Sequence, residues 1–146
     1  MTTVSTYLTF KGNCETAFKF YRMVFGGEFA HIGRFKDMPQ DDPNCVIDDS
    51  EKNNIMHVSL PIGNSILMGS DAGGGWTDGI TIGNNFSVSI NTDSKDEADR
   101  LFNALSKNGK KTMPMSNTFW GSYLGMFTDQ FDIQWMVSFD ANPQNN

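Results

Sequence analysis

The sequence predicts an α+β fold of two βαβββ modules, residues 1–79 and 80–146, whose curved mixed sheets surround a cleft. Three observations carry this prediction. One order of strand-like and helix-like segments occurs twice, with Ala17 and Ala98, and again Tyr21 and Phe102, 81 positions apart. Each copy has one amphipathic helix for four strands, enough to cover one sheet face and leave the other concave. Both helix patterns are bounded by start and stop residues.

Residues 4–10 alternate and are rich in Thr, Tyr and Phe, which reads as a strand. Gly12-Asn13 breaks it, and Asn13 can cap a helix whose first turn carries Glu15. Ala17, Phe18, Phe20, Tyr21, Val24 and Phe25 recur at helical spacing, predicting a helix over about 14–25 that Gly26-Gly27 stops. Residues 28–35 and 55–60 read as the next strands, and Gly63-Asn64 turns tightly into a fourth at 65–70.

The order then returns. Residues 85–91 alternate as a strand, and Ser94-Lys95-Asp96-Glu97 is a capping box. Ala98, Leu101, Phe102 and Leu105 form the apolar face of a helix over about 95–107, which Asn108-Gly109 ends. Strand-like runs follow at 111–115, 123–128 and 133–139. Met68 and Met136 are 68 apart, so the second copy is about 13 residues shorter. The deficit lies opposite residues 36–54, an acidic, Pro-containing loop, and Ile80-Thr81-Ile82 is the linker between copies.

A chain of 146 residues is the size of one domain, or of two small units sharing a core. It can bury a core without disulfide or metal staples. An apolar content of 38% with 12% aromatic residues excludes disorder. No apolar run approaches the ~20 residues of a membrane helix. A net charge of −6 argues against nucleic acid, whose binding draws on Lys and Arg. Cys14 and Cys45 match no CxxC metal spacing and are too few for a disulfide scaffold. The opening Met-Thr-Thr-Val-Ser-Thr-Tyr lacks the basic and apolar regions of a signal peptide. The expectation is a soluble, cytoplasmic protein without a membrane partner.

A two-residue turn at Gly63-Asn64 pairs Ser59 with Met68 and His57 with Ser70, placing all four on the cleft face. Met56, Val58, Leu60 and Leu67 then pack beneath the helix. A turn centred on Gln130-Phe131 pairs Met136 with Gly125 and brings Tyr123, Phe127 and Gln134 to the cleft. The expected lining is therefore His57, Ser59, Met68, Tyr123, Phe127, Gln134 and Met136, apolar and aromatic with few polar groups, which suits a small-molecule ligand. His57 reads either as a satisfied histidine bonding a neighbouring strand or as a general base; one imidazole alone does not hold a metal. His31, on the second strand, could approach His57 across the sheet but reads as surface or rim. Phe119, Trp120 and Trp135 are more often core than ligand cage, although Trp120, beside Gly121, fits either. Gly73-Gly74-Gly75-Trp76 lacks the following helix of a phosphate loop. Asp48-Asp49-Ser50-Glu51 reads as a solvated loop, and the nine Met residues as core filler or plastic pocket wall.

Several stretches together resemble the PhnB-like, glyoxalase-related branch of the vicinal oxygen chelate superfamily. They are Tyr7-Leu8-Thr9-Phe10-Lys11-Gly12-Asn13, Phe20-Tyr21, Phe25-Gly26-Gly27-Glu28, Ile55-Met56-His57 and Leu67-Met68-Gly69-Ser70-Asp71. Met113-Pro114, Thr118-Phe119-Trp120-Gly121, Gly125-Met126, Asp129-Gln130-Phe131 and Trp135-Met136-Val137 continue the likeness. The resemblance implies a divalent metal held by a His or similar residue opening the first strand of each copy and a Glu in the last strand of each. Those positions fall here at Thr6, Met68, Ser87 and Met136, and a one-residue slip gives Tyr7, Gly69, Val88 and Val137. Neither set is a good donor set for such ions.

The resemblance thus points to a protein without metal or cofactor that binds or sequesters an apolar, aromatic or cationic small molecule. The alternative is a glyoxalase-like lyase or isomerase using a substitute metal ligand such as His57. A third reading is a homodimeric domain without small-molecule activity. The resemblance also implies a homodimer, with module exchange hinged near residues 73–83. A ubiquinone-pathway methyltransferase label attached to relatives finds no Gly-rich strand-to-helix turn in this sequence.

Overall fold

The two apolar repeats become one layered unit built twice in the computed structural model, which describes residues 1–39, 48–73 and 79–141. The chain divides into Met1–Thr81 and Ile82–Asn146. The first unit contains β1 (Thr6–Phe10), α1 (Cys14–Phe25), β2 (His31–Arg34), β3 (Ile55–Ile62) and β4 (Ser65–Asp71). Its sheet order is β1-β4-β3-β2, with β1 parallel to β4 and the other pairs antiparallel. The second unit contains β5 (Val88–Thr92), α2 (Lys95–Leu105), β6 (Lys110–Asn117), β7 (Ser122–Thr128) and β8 (Gln134–Asp140). Its order, β5-β8-β7-β6, repeats the first in the same senses. Strands β1, β2 and β5 begin two or three residues later than the sequence pattern suggests, and α2 stops at Leu105. Within the acidic loop, Phe35–Asp37 and Asp49–Glu51 form single 3-10 turns. Cys45, and Trp76 with most of its glycine run, lie outside the described residues. No helix among the described residues is long and apolar enough to cross a membrane.

Each helix covers one face of its own sheet. Under α1, the buried Cys14, Ala17, Phe18, Tyr21 and Val24 meet Leu8, Phe10, Val58, Leu60 and Leu67. Phe18 lies edge-on to Phe10 and Tyr21, with ring centroids 6.2 and 5.6 Å apart. The Phe18 ring fills the space at Gly69, where a Cβ would stand 2.6 Å from it. In the second unit Ala98, Leu101, Phe102 and Leu105 cover Phe127, Trp135 and Val137. Gly125 plays the part of Gly69: a Cβ there would stand 2.8 Å from the Phe102 ring.

The two helices start differently. Ser94 Oγ accepts from the Glu97 amide at 3.1 Å, the local half of the expected capping box, while the Glu97 carboxylate turns to Arg100. Asn13 occupies the N-cap position of α1 but makes no side-chain cap bond. Asp71, 3% exposed at the end of β4, replaces it. Its Oδ1 accepts from the Gly12 and Cys14 amides at 2.9 Å each, and its Oδ2 from the Ile55 amide at 2.8 Å. One carboxylate therefore satisfies an orphan amide of the helix start and joins it to the beginning of β3. Burial, with Asp71 and Glu15 as neighbouring charges, pushes the Cys14 thiol far above the usual range, so it stays a neutral core group. A second tie runs from Arg34 at the end of β2. Its guanidinium donates to Glu15 Oε1 and Oε2 at 3.0 and 2.5 Å and to the Asn53 carbonyl at 2.7 Å.

Asp71→Ala strands three amide donors, each worth roughly 1–3 kcal/mol when buried and unpaired. Urea unfolding should show a loss of about 3 kcal/mol or more, without the recovery that a merely exposed carboxylate would allow. The Arg34 hydrogen bond, aided by Lys19, holds the Glu15 carboxyl below its usual range. Its contribution is therefore present above the ordinary carboxylate pKa and lost as pH falls through the depressed one. With both partners part-exposed, Glu15→Gln should cost no more than about 1 kcal/mol at pH 7, and melting curves of variant and parent should converge as the pH falls through the depressed Glu15 pKa.

Candidate ligand-binding face

The β3–β4 hairpin turns on Gly63 and Asn64, with Gly63 at φ +57°. The register has Ser59 opposite Met68 and Val58 opposite Gly69, as a two-residue turn requires. His57, Ser59 and Met68 accordingly lie on the sheet face away from α1. Strand β1 adds Tyr7, paired with Met68, and β2 adds His31, paired with Ser59. Three rings form a row on this face. Tyr7 and His57 are stacked with centroids 5.9 Å apart and 24° between planes, and His57 and His31 are 5.5 Å apart at 34°. Tyr7 remains 48% exposed, His31 is exposed, and His57 is half-buried between them. His31 thus sits at the rim, as expected, and its ring also approaches His57 across the sheet.

A bulge corrects the expected core. Gly33 pairs with His57 and Arg34 with Ile55, which leaves Met56 as the extra residue on β3. Ile55 is therefore fully buried, while Met56 is only half-buried. The Met56 methyl stands 3.7 Å from the point a Gly33 Cβ would occupy, among the residues of the helix-free face.

In the second unit the expected register is wrong by one residue. Asp129 Oδ1 accepts from the Phe131 and Ile133 amides at 2.8 and 3.1 Å, and Oδ2 accepts from the Trp135 indole at 2.8 Å. This side-chain-built turn spans residues 129–133, an odd number, and pairs Met126 with Met136 and Phe127 with Trp135. A one-residue slip exchanges the two faces of a strand. Tyr123 and Phe127 therefore belong to the helix side. Phe127 is buried edge-on to Phe102 at 5.3 Å. Tyr123 donates to Asp99 Oδ1 on α2 at 2.6 Å, which holds the phenol above its usual range, and Lys95 lies 5.0 Å over its ring. Met126, Gln134 and Met136 occupy the opposite face with Ser89, the β5 partner of Met136. Gln134 Nε2 donates to the Asp132 carbonyl at 3.2 Å; among the described residues its buried Oε1 has no donor. Trp135 is core, as expected. Phe119 and Trp120 are not: they are 97% and 57% exposed at the β6–β7 turn, edge to face at 4.9 Å.

The expected metal positions also shift. Thr6 pairs with the buried Leu67 and shares the core side with Leu8, and Ser87 precedes β5. The positions beside Met68 and Met136 are instead Tyr7 and Ser89. The strands are offset by 82 while the helices are offset by 81, because residues 11–13 join β1 to α1 but only 93–94 join β5 to α2. A phenol with a thioether in one unit, and a hydroxyl with a thioether in the other, do not fit the divalent metal that the resemblance implies. Among the described residues no three His, Cys, Asp or Glu side chains gather as a metal site.

A family model described as 3-demethylubiquinone-9 3-methyltransferase matches residues 2–138. The chain belongs to this family. Protein YjdN of Escherichia coli K12 is 32% identical over 140 residues, covering 92% of this chain and 93% of its own. Protein PA1353 of Pseudomonas aeruginosa is 37% identical with a TM-score of 0.79, over 96% of this chain and 98% of that one. The PhnB protein from Bacillus cereus, which carries the same methyltransferase name, has a TM-score of 0.68 at 20% identity, over 94% and 99% of the two chains. The fold extends to a glyoxalase/bleomycin resistance protein/dioxygenase family enzyme from Burkholderia phytofirmans, with a TM-score of 0.59 at 16% identity over 92% and 96%. The fold is that of the glyoxalase/bleomycin resistance proteins.

Proposed function

We propose that the chain binds a planar aromatic or cationic small molecule on the helix-free face of its first unit. The observation that carries this reading is the Tyr7–His57–His31 ring row, set on a sheet face that the unit's own helix does not cover. Stacked rings offer a flat surface to an aromatic ligand and a negative π-face to a cation, and a net charge of −6 favours the cation. Ser59 and Met68 border the row, and Gln134 and Met136 hold the corresponding face of the second unit. The glyoxalase and bleomycin-resistance names within the fold support a small-molecule partner. The methyl transfer in the family's description has weaker support, since the strand-to-helix turns at 11–13 and 93–94 contain one glycine between them. The same reading makes the protein a cytoplasmic homodimer, with module exchange as one form of its assembly. The sheet-edge strands β2 and β6 and the exposed Phe119–Trp120 pair support association.

Thermal melts against a panel of planar aromatic cations, with neutral and anionic analogues, test the binding reading. A ligand at 100 times its Kd stabilises by about 2.7 kcal/mol. Tyr7→Ala and His57→Ala should each remove most of that shift, whereas Tyr123→Phe, on the helix side, should leave it intact. A panel without any shift, or a shift indifferent to Tyr7 and His57, rejects the proposed face. Light scattering should return twice the chain mass of 16.3 kDa; a monomer at working concentration removes the dimer from the reading.

A further inference from the structure

The β2–β3 bulge does more than move Met56 out of the core: it brings the Met56 methyl beside the His31 ring, which in turn neighbours the His57 ring. At Gly33, His31 Cε1 and Nε2 lie 3.1 and 3.6 Å from the place a Cβ would take, and the Met56 Cε lies 3.7 Å from it. His57 is the cross-strand partner of Gly33, and its ring centroid is 5.5 Å from that of His31. Two imidazoles that each give one nitrogen to a shared ion at about 2.0–2.1 Å have centroids roughly 5–6 Å apart, the spacing seen here. Gly33 is buried although it lies on the edge strand β2, with the His31 ring and the Met56 methyl against it.

The chemistry of the set narrows the ion. Two imidazoles and one thioether, all neutral, are a poor match for Mg²⁺ or Ca²⁺, which take oxygen ligands. Imidazole suits copper and zinc, and a thioether selects Cu(I). We propose that His31, His57 and Met56 form a Cu(I) site over Gly33, one ion per chain, in which the imidazole pair alone takes Zn(II) more weakly. The site lies on β2 and β3, apart from the β1, β4, β5 and β8 positions that the superfamily resemblance indicates. The Tyr7 ring, stacked on His57, limits the turning of that imidazole away from its partner.

The test is an anaerobic titration of the full chain with Cu(I) against a chromogenic Cu(I) chelator, and a separate titration with Zn(II). The expected result is one Cu(I) per chain, weakened about tenfold or more by His31→Ala and by His57→Ala. Met56→Leu should weaken Cu(I) but leave Zn(II) unchanged, because it removes the thioether alone. Gly33→Ala, which puts a methyl against the His31 ring, should weaken both. Circular dichroism and melting confirm that each variant is folded before it is titrated, and Met56→Leu keeps the side-chain volume in any case. Equal Cu(I) affinity in the parent and the His31→Ala/His57→Ala double variant overturns the site, and a Met56→Leu variant that binds Cu(I) like the parent overturns its thioether. Copper is titrated without organic ligand, and Met56 and Gly33 lie outside the Tyr7–Met68 pair. Failure of the copper site therefore leaves the ligand-face reading standing on its own test.

Discussion

The Asp71 carboxylate is the point on which the first unit depends. It lies where β4 ends, α1 begins and β3 enters the sheet, and its three accepted amides come from the entry to α1 and the start of β3. A buried carboxylate is costly unless its oxygens are filled with donors, and here every partner is a backbone amide that would otherwise be orphaned. The arrangement makes the start of α1 a tertiary contact. Leu8, Phe10 and Leu67 reach Phe18 and Tyr21 only while that junction holds the helix against the sheet. The second unit has Phe139 at the place of Asp71 in the strand pairing, and it starts α2 with the local Ser94 cap instead. One architecture thus has a long-range and a short-range way to begin its helix.

A second constraint is the parity of turns. In β3–β4 the two residues Gly63 and Asn64 keep His57, Ser59 and Met68 away from the helix. In β7–β8 Asp129 builds a five-residue turn by accepting two amides and an indole, and the odd count delivers Tyr123 to Asp99 and Phe127 to Phe102. In β2–β3 a single extra residue exchanges the roles of Ile55 and Met56. Each is a one-residue event, and each decides which side chains reach the candidate face. The glycines behave alike: Gly69 and Gly125 admit a phenylalanine ring of the covering helix, whereas Gly33 admits an imidazole on the opposite face.

The candidate face therefore consists of what the packing leaves over. Tyr7, His57 and His31 stand on three strands of one sheet: β2 and β3 are neighbours, and Tyr7 on β1 reaches His57 across the intervening β4. Nothing in the sequence spacing announces the Tyr7 contact. His57 was legible as a face residue from the Gly63-Asn64 turn, and the approach of His31 from the neighbouring strand could be anticipated, but Tyr7 required the parallel β1–β4 register and the place of Met56 required the bulge.

By itself the sequence determined the repeat, both helix spans to within two residues and the Gly63-Asn64 hairpin, because periodicity, local capping and turn chemistry act over a few residues. It also determined most of the first unit's face, since a two-residue turn has a single parity. The tertiary structure alone decided the cap of α1, the side on which Tyr123, Phe127 and Met56 lie, and the exposure of Phe119. Each depends on a hydrogen bond, a bulge or a strand partner supplied from elsewhere: Asp71 is 57 positions from Cys14, and Asp99 is 24 from Tyr123. Local pattern carries no record of such partners, and a strand's faces exchange completely with one residue of register.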